Sequence, residues 1–108
     1  VKKKKEPRKI IPKSFKLGGY TYSVKYKPVC LEVSGRIGEH KNLTPEIIIY
    51  RSWANKEKIS DQHNEATFCH ELTHGILRAM GEEELFENEK FVEAFSRYLH
   101  QYLVTAKY

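Results

Sequence analysis

From Ser14 to Tyr26 apolar and polar positions alternate around a pair of glycines. Phe15 and Leu17 alternate with lysines, and Tyr20, Tyr22, Val24 and Tyr26 resume the alternation after Gly18-Gly19. A period of two puts successive side chains on opposite faces of a strand, and two glycines accept the positive φ of a tight turn. The segment therefore predicts a β-hairpin. Pro28 should end its second strand. Val29, Leu31 and Val33 alternate again until Ser34-Gly35 breaks the pattern, and Gly35 to Glu39 reads as a short strand or turn. Glu46 to Arg51 (EIIIYR), after Thr44-Pro45, is a β-branched run and the best strand in the chain.

The period then changes from two to 3.6. Ser60-Asp61 is a helix start signal, and Gly81 is suited to the residue just past a helix end, so a helix is predicted from about Asp61 to Met80. On it Phe68, Leu72, Ile76 and Ala79 fall in one arc, flanked by Cys69 and Met80, while His63, Thr67, His70 and His74 fall opposite. One side is expected to meet a core and the other to present histidines. Glu82 to Glu87 reads as an acidic connector. Asn88 is a natural N-cap for a second helix to about Thr105, with Phe91, Phe95, Tyr98, Leu99, Tyr102 and Leu103 as its apolar face and Glu89, Glu93, Ser96 and His100 on the other. Strands followed by helices give an α+β fold: a small antiparallel or mixed sheet with a hairpin, then two packed helices.

Composition narrows this only a little. The 108 residues suffice for one domain with a modest core. The formal charge is +5, but residues 1–16 hold eight cations and one anion, leaving the other 92 residues at −2. The basic character thus belongs to a flexible arm over residues 1–13, with one domain over 14–108. Residues 2–16 could make a weak contact with nucleic acid or another polyanion. No run of apolar residues is long enough to span a membrane, and no apolar stretch follows the basic start. A cytoplasmic monomer is the expectation, with Cys30 and Cys69 reduced.

The chemistry is concentrated in His70-Glu71-Leu72-Thr73-His74, an H-E-x-x-H inside the helical pattern. Chance alone would supply about 0.03 such motifs in a chain of this composition, so the context has to carry the argument. Residues i and i+4 stack one turn apart, and both imidazoles can reach one cation. Two neutral imidazoles and a carboxylate suit Zn2+ with one open position. Glu71 projects beside the metal, where it can take a proton from water as general base. The third ligand must come from Glu82, Glu83, Glu84, Glu87, Glu89 or Glu93. The first three follow Gly81 too closely to fold back over His74. Glu89, in the first turn of the second helix, is assigned as ligand. Glu93, one turn later, is expected to hydrogen-bond a ligating imidazole and is the alternative ligand. His100 lies about 16 Å along the helix from Glu89, and His63 about 10 Å from His70, too far to share that metal. A donor for a developing oxyanion could be Tyr98, Tyr102, Arg97, His100, His40 or an N-terminal tyrosine.

Thr67 to Leu99 resembles the gluzincin branch of HExxH zinc metallopeptidases. Asn88-Glu89 with Glu93 is similar to the gluzincin N-E-x-x-x-D pattern, with Glu in place of Asp. Glu89, Val92, Phe95 and Ser96 also resemble the E-x-x-A-x-x-F-A helix of ImmA/IrrE-like peptidases, although Val92 and Ser96 replace alanines and the following Leu-Met-Pro is missing. The whole chain looks like small phage-encoded minimal zincins. The resemblance implies a cytoplasmic, phage- or mobile-element-encoded zinc metallopeptidase acting on a protein or peptide substrate. In such proteins the strand before the motif helix pairs with extended substrate. By position this implies Ile47, Ile48, Ile49 and Tyr50 as the substrate edge, a role compatible with β-augmentation. The competing reading is a non-enzymatic, zinc-stabilised module that binds a partner protein or DNA through the basic arm. A third is a DNA-associated protease resembling SprT-like proteins.

Overall fold

The structure, a computed structural model, describes residues 10–29, 38–41, 45–53, 55 and 57–108. Most of the basic arm, Cys30 and the ambiguous stretch after Val29 lie outside the described residues.

The hairpin forms as its alternation requires. Strand β1 (Ser14–Leu17) pairs antiparallel with β2 (Tyr20–Val29), with Phe15 opposite Tyr22 and Leu17 opposite Tyr20. Gly18 and Gly19 turn at φ 54° and 85°, two successive positive values that few side chains tolerate. Pro28 does not end β2, which runs to Val29. Among the described residues β1 pairs β2 only as far as Ser23, so Pro28 lies beyond the antiparallel ladder, where its missing N–H breaks no β1 pairing. Residues before Ser14 also belong to the folded domain. Ile11 packs on the core, and the Lys13 carbonyl accepts a 3.0 Å hydrogen bond from the Val24 N–H.

Strand β3 (Gly38–Lys41) and strand β4 (Glu46–Ser52) complete a four-stranded mixed sheet in the order β1-β2-β4-β3. β4 runs parallel to β2, with Ile47 opposite Val24 and Ile49 opposite Tyr26. It runs antiparallel to β3, with Ile49 opposite Gly38 and Glu46 opposite Lys41. β4 is therefore an interior strand, and the expected substrate edge at Ile47, Ile48, Ile49 and Tyr50 is overturned. Both backbone edges of β4 are already paired. Both of its faces are covered too. Ile47 and Ile49 meet Tyr22 and Phe68, whereas Ile48 and Tyr50 meet Ile59 and Trp53. A continuous apolar run, rather than an alternating one, is what a strand buried on two faces needs. The described edge strand on this side is β3.

Helix α1 (Asp61–Met80) starts and stops where its signals predict. Ser60 Oγ accepts from the His63 N–H at 3.1 Å. At the other end Gly81, at φ 77°, donates to the Arg78 carbonyl, and the Glu82 N–H reaches the Leu77 carbonyl, closing the last turn. The acidic connector contains a five-residue helix, α2 (Glu83–Glu87), and Asn88 Oδ1 caps α3 (Glu89–Thr105) by accepting from the Phe91 N–H at 3.0 Å. The class is α+β, with a mixed sheet followed by helices.

Two facial assignments change. α1 is buried on two sides. Phe68 enters the sheet core, where the Phe15 ring meets it edge-on and stacks on Tyr22. Cys69, Thr73 and His74 are buried as well, because α3 lies antiparallel across α1 and covers the side expected to present histidines freely. On α3 the buried residues are Val92, Ser96 and His100, while Phe95, Tyr98 and Tyr102 are exposed. The predicted apolar face is thus split: Phe95, Tyr98 and Tyr102 point outward, whereas Phe91, Leu99 and Leu103 are half-buried. The physical reason is that Glu89, Glu93 and His100 all find partners on α1, and a helix can turn only one face toward it.

Candidate metal centre

The H-E-x-x-H turn sits in the middle of α1, and the start of α3 crosses it. His70 and His74 stand one turn apart with ring centroids 5.0 Å from each other. The Glu89 carboxylate reaches both: Oε2 lies 3.2 Å from His70 Nε2, and Oε1 lies 3.0 Å from His74 Nε2. One ligand atom from each of the three residues falls within 4.8 Å of the others, a triad that could hold a metal ion. Two imidazoles and a carboxylate are a donor set that zinc takes. Tetrahedral Zn–N and Zn–O bonds of about 2.0–2.1 Å would space ligand atoms roughly 3.3 Å apart, close to both Glu–His separations. Of the six candidate carboxylates, the structure brings Glu89 to the two histidines.

Glu93 takes the position expected of it. Its Oε2 lies 3.1 Å from His70 Nδ1, the ring nitrogen turned away from Glu89. An Nδ1–H donated to Glu93 leaves the Nε2 lone pair aimed at the triad, which orients the ring and raises its basicity as a ligand. Arg97 approaches the other Glu93 oxygen at 3.6 Å, one turn along α3.

His74 is the more enclosed imidazole. The Phe86 ring packs edge-on against it at 4.9 Å, and Arg78 lies over the Phe86 ring. Burial lowers the His74 pKa from its usual value, and the nearby Glu89 carboxylate opposes that shift without cancelling it. The neutral imidazole, the form a metal requires, is thereby favoured. Phe86 was missed in the sequence because it lies in an acidic run. The signal available was that Leu85-Phe86 is the one apolar pair between Gly81 and Asn88. Glu71 is buried, at 5% exposure, beside the triad residue His70.

The remaining residues sort by position. His100 pairs with Glu65 of α1 at 3.2 Å, well along the helix interface from the triad. That half-buried pair was not anticipated, since neither residue belongs to a motif. His63 is exposed and lies edge-on to Trp53 at 5.4 Å. Tyr98 and Tyr102 occupy the outward side of α3, which takes them away from the triad. Cys69 is fully buried and free, and burial pushes its thiol up to about 11, so it is a core side chain rather than a nucleophile or ligand. Among the described residues, no helix is long and apolar enough to cross a membrane.

Compared with protein-family models, curated proteins and solved structures, the chain matches none of them.

Proposed function

We propose that the protein is a zinc-dependent metallopeptidase. The observation that carries this reading is the Glu89 carboxylate set between the Nε2 atoms of His70 and His74, with Glu93 engaging the far nitrogen of His70. His70, His74 and Glu89 would hold the ion. When bound, zinc supplies Lewis acidity toward a carbonyl oxygen and toward water. Glu71 stands next to His70 in the same helical turn, where its carboxylate accepts a proton from the attacking water and returns it to the leaving amine. A purely structural zinc site has no use for such a base.

The sheet supports an extended substrate at a different strand from the one first expected. β3 packs near α1 and pairs with β4 on one side; among the described residues it ends the sheet, so its other edge is where a peptide in extended conformation would add. Most of the basic arm lies outside the described residues and enters neither step.

Proteolysis by zinc-loaded wild type should be compared with Glu71→Gln on a broad peptide library. The variant should bind zinc normally and lose at least about 100-fold in rate, the scale of general-base catalysis. Equal rates, or no cleavage by a protein shown to hold one zinc, would leave the non-enzymatic module as the better reading.

A further inference from the structure

We propose that the pocket between the end of β4 and the start of α1 is a binding site for a short apolar peptide with both termini free. The cavity measures about 510 Å³. That falls within the roughly 300–1,000 Å³ of pockets that enclose a small molecule larger than a single amino acid. Tyr26 of β2 contributes to its wall, and Ile10, Ile11 and Ile59 give it an apolar surface on which aliphatic side chains can pack.

The charges on its lining are of both signs. Arg51 and Lys58 supply cations, and Asp61, the first residue of α1, supplies a carboxylate. Among the described residues no ion pair joins either cation to Asp61, so the opposite charges are left for a ligand. Glu65 also lines the pocket, but one of its oxygens is taken by His100. The Arg51 guanidinium is held over the Tyr26 ring, 4.5 Å from its centroid. The Tyr26 hydroxyl pKa is raised, first by burial; Arg51 opposes that shift and Asp61 adds to it, which puts both charges near this ring.

Asn64 supplies the second, independent observation. It lines the same pocket, is only 7% exposed, and its Oδ1 has no hydrogen-bond partner. A buried carbonyl oxygen without a donor is destabilising and rare in folded proteins. Asp61 and Asn64 stand three residues apart on one side of α1, so one ammonium group can donate to both. The carboxylate at the other end of the ligand then meets Arg51 and Lys58. A ligand of a single sign would leave either the cations or the acceptors unpaired, whereas a zwitterion satisfies both. Asn64 precedes His70 by six residues, about 9 Å along α1, and no pocket residue belongs to the metal triad. The inference therefore does not depend on the metallopeptidase reading.

The test is a titration of the dipeptide Leu-Leu into the full 108-residue chain, kept metal-free with a chelator and followed by backbone amide chemical shifts. Binding should saturate with a dissociation constant on the order of 0.1–1 mM, and the shifts should centre on residues 51–65. Acetyl-Leu-Leu and Leu-Leu amide, each lacking one terminal charge, should bind at least about tenfold more weakly, and so should free leucine. Arg51→Gln should weaken Leu-Leu about tenfold and leave Leu-Leu amide unchanged, while Asp61→Asn should weaken Leu-Leu and leave acetyl-Leu-Leu unchanged. Asn64→Leu, of similar size, should weaken Leu-Leu without lowering the thermal midpoint; if it misfolds, the two exposed charge variants carry the test. Absence of saturation up to about 20 mM would overturn the proposal. So would capped peptides or free leucine that bind as tightly as Leu-Leu, or shifts centred on His70, His74 and Glu89.

Discussion

Helix α1 has two buried sides of opposite chemistry. Toward the sheet it contributes Phe68 to a dry cluster with Tyr22, Ile47 and Ile49. Toward α3 it contributes Glu65, His70 and His74, which meet His100, Glu93 and Glu89. Burying a large apolar side chain stabilises by about 1.5–3 kcal/mol without any partner of defined geometry. A buried imidazole or carboxylate contributes only when its partner is placed within hydrogen-bond distance. The sheet side therefore supplies the fold, and the α3 side supplies the candidate metal centre. The same contrast explains why α3 turns its aromatic residues outward: the polar contacts with α1 cannot be made from any other face.

This contrast can be broken from either side. The largest effect should come from Phe68→Ala, which removes a ring from the apolar cluster. It should destabilise the protein by about 3–5 kcal/mol in urea unfolding, with one zinc still bound below the transition. Loss of zinc at full folding would erase the distinction between the two sides. Glu93→Gln should do the reverse. It should weaken zinc binding by about 10–100-fold in a chelator competition while leaving the metal-free protein nearly as stable as wild type.

The smallest effect concerns pH. The folded pKa of His74 lies below that of the unfolded imidazole, near 6.5. Between those two values the unfolded chain binds more protons than the folded one, so stability falls as the pH drops. Metal-free protein should accordingly lose stability on acidification below about pH 6.5, and His74→Gln should flatten that slope. An identical slope in the variant would place the titrating group elsewhere.

Much of this was legible from local pattern. The hairpin, the caps at Ser60, Gly81 and Asn88, and the ends of both long helices follow from residues within a few positions of one another. The triad was legible too, because His70 and His74 share a helical face and Glu89 is placed by a short connection. The interior position of β4 was available in principle. Three successive isoleucines mark a strand covered on both sides, whereas a cleft-edge strand would alternate. The resemblance to minimal zincins pointed to β4 because it precedes the motif helix in sequence, but pairing order in the sheet does not follow chain order. The outward face of α3 was hidden for a related reason. Hydrophobic periodicity identifies an amphipathic face but carries no information about which surface covers it.

The sequence by itself determined the elements, their caps and the pairing of His70 with His74 on one helical turn, since each depends on neighbours in the chain. Only the tertiary structure decided three further matters: that β4 is enclosed between β2 and β3, that Phe86 encloses His74, and that α3 turns Val92, Ser96 and His100 inward. Each depends on residues distant in sequence competing for the same surface, and the outcome is set by which partners can be satisfied together.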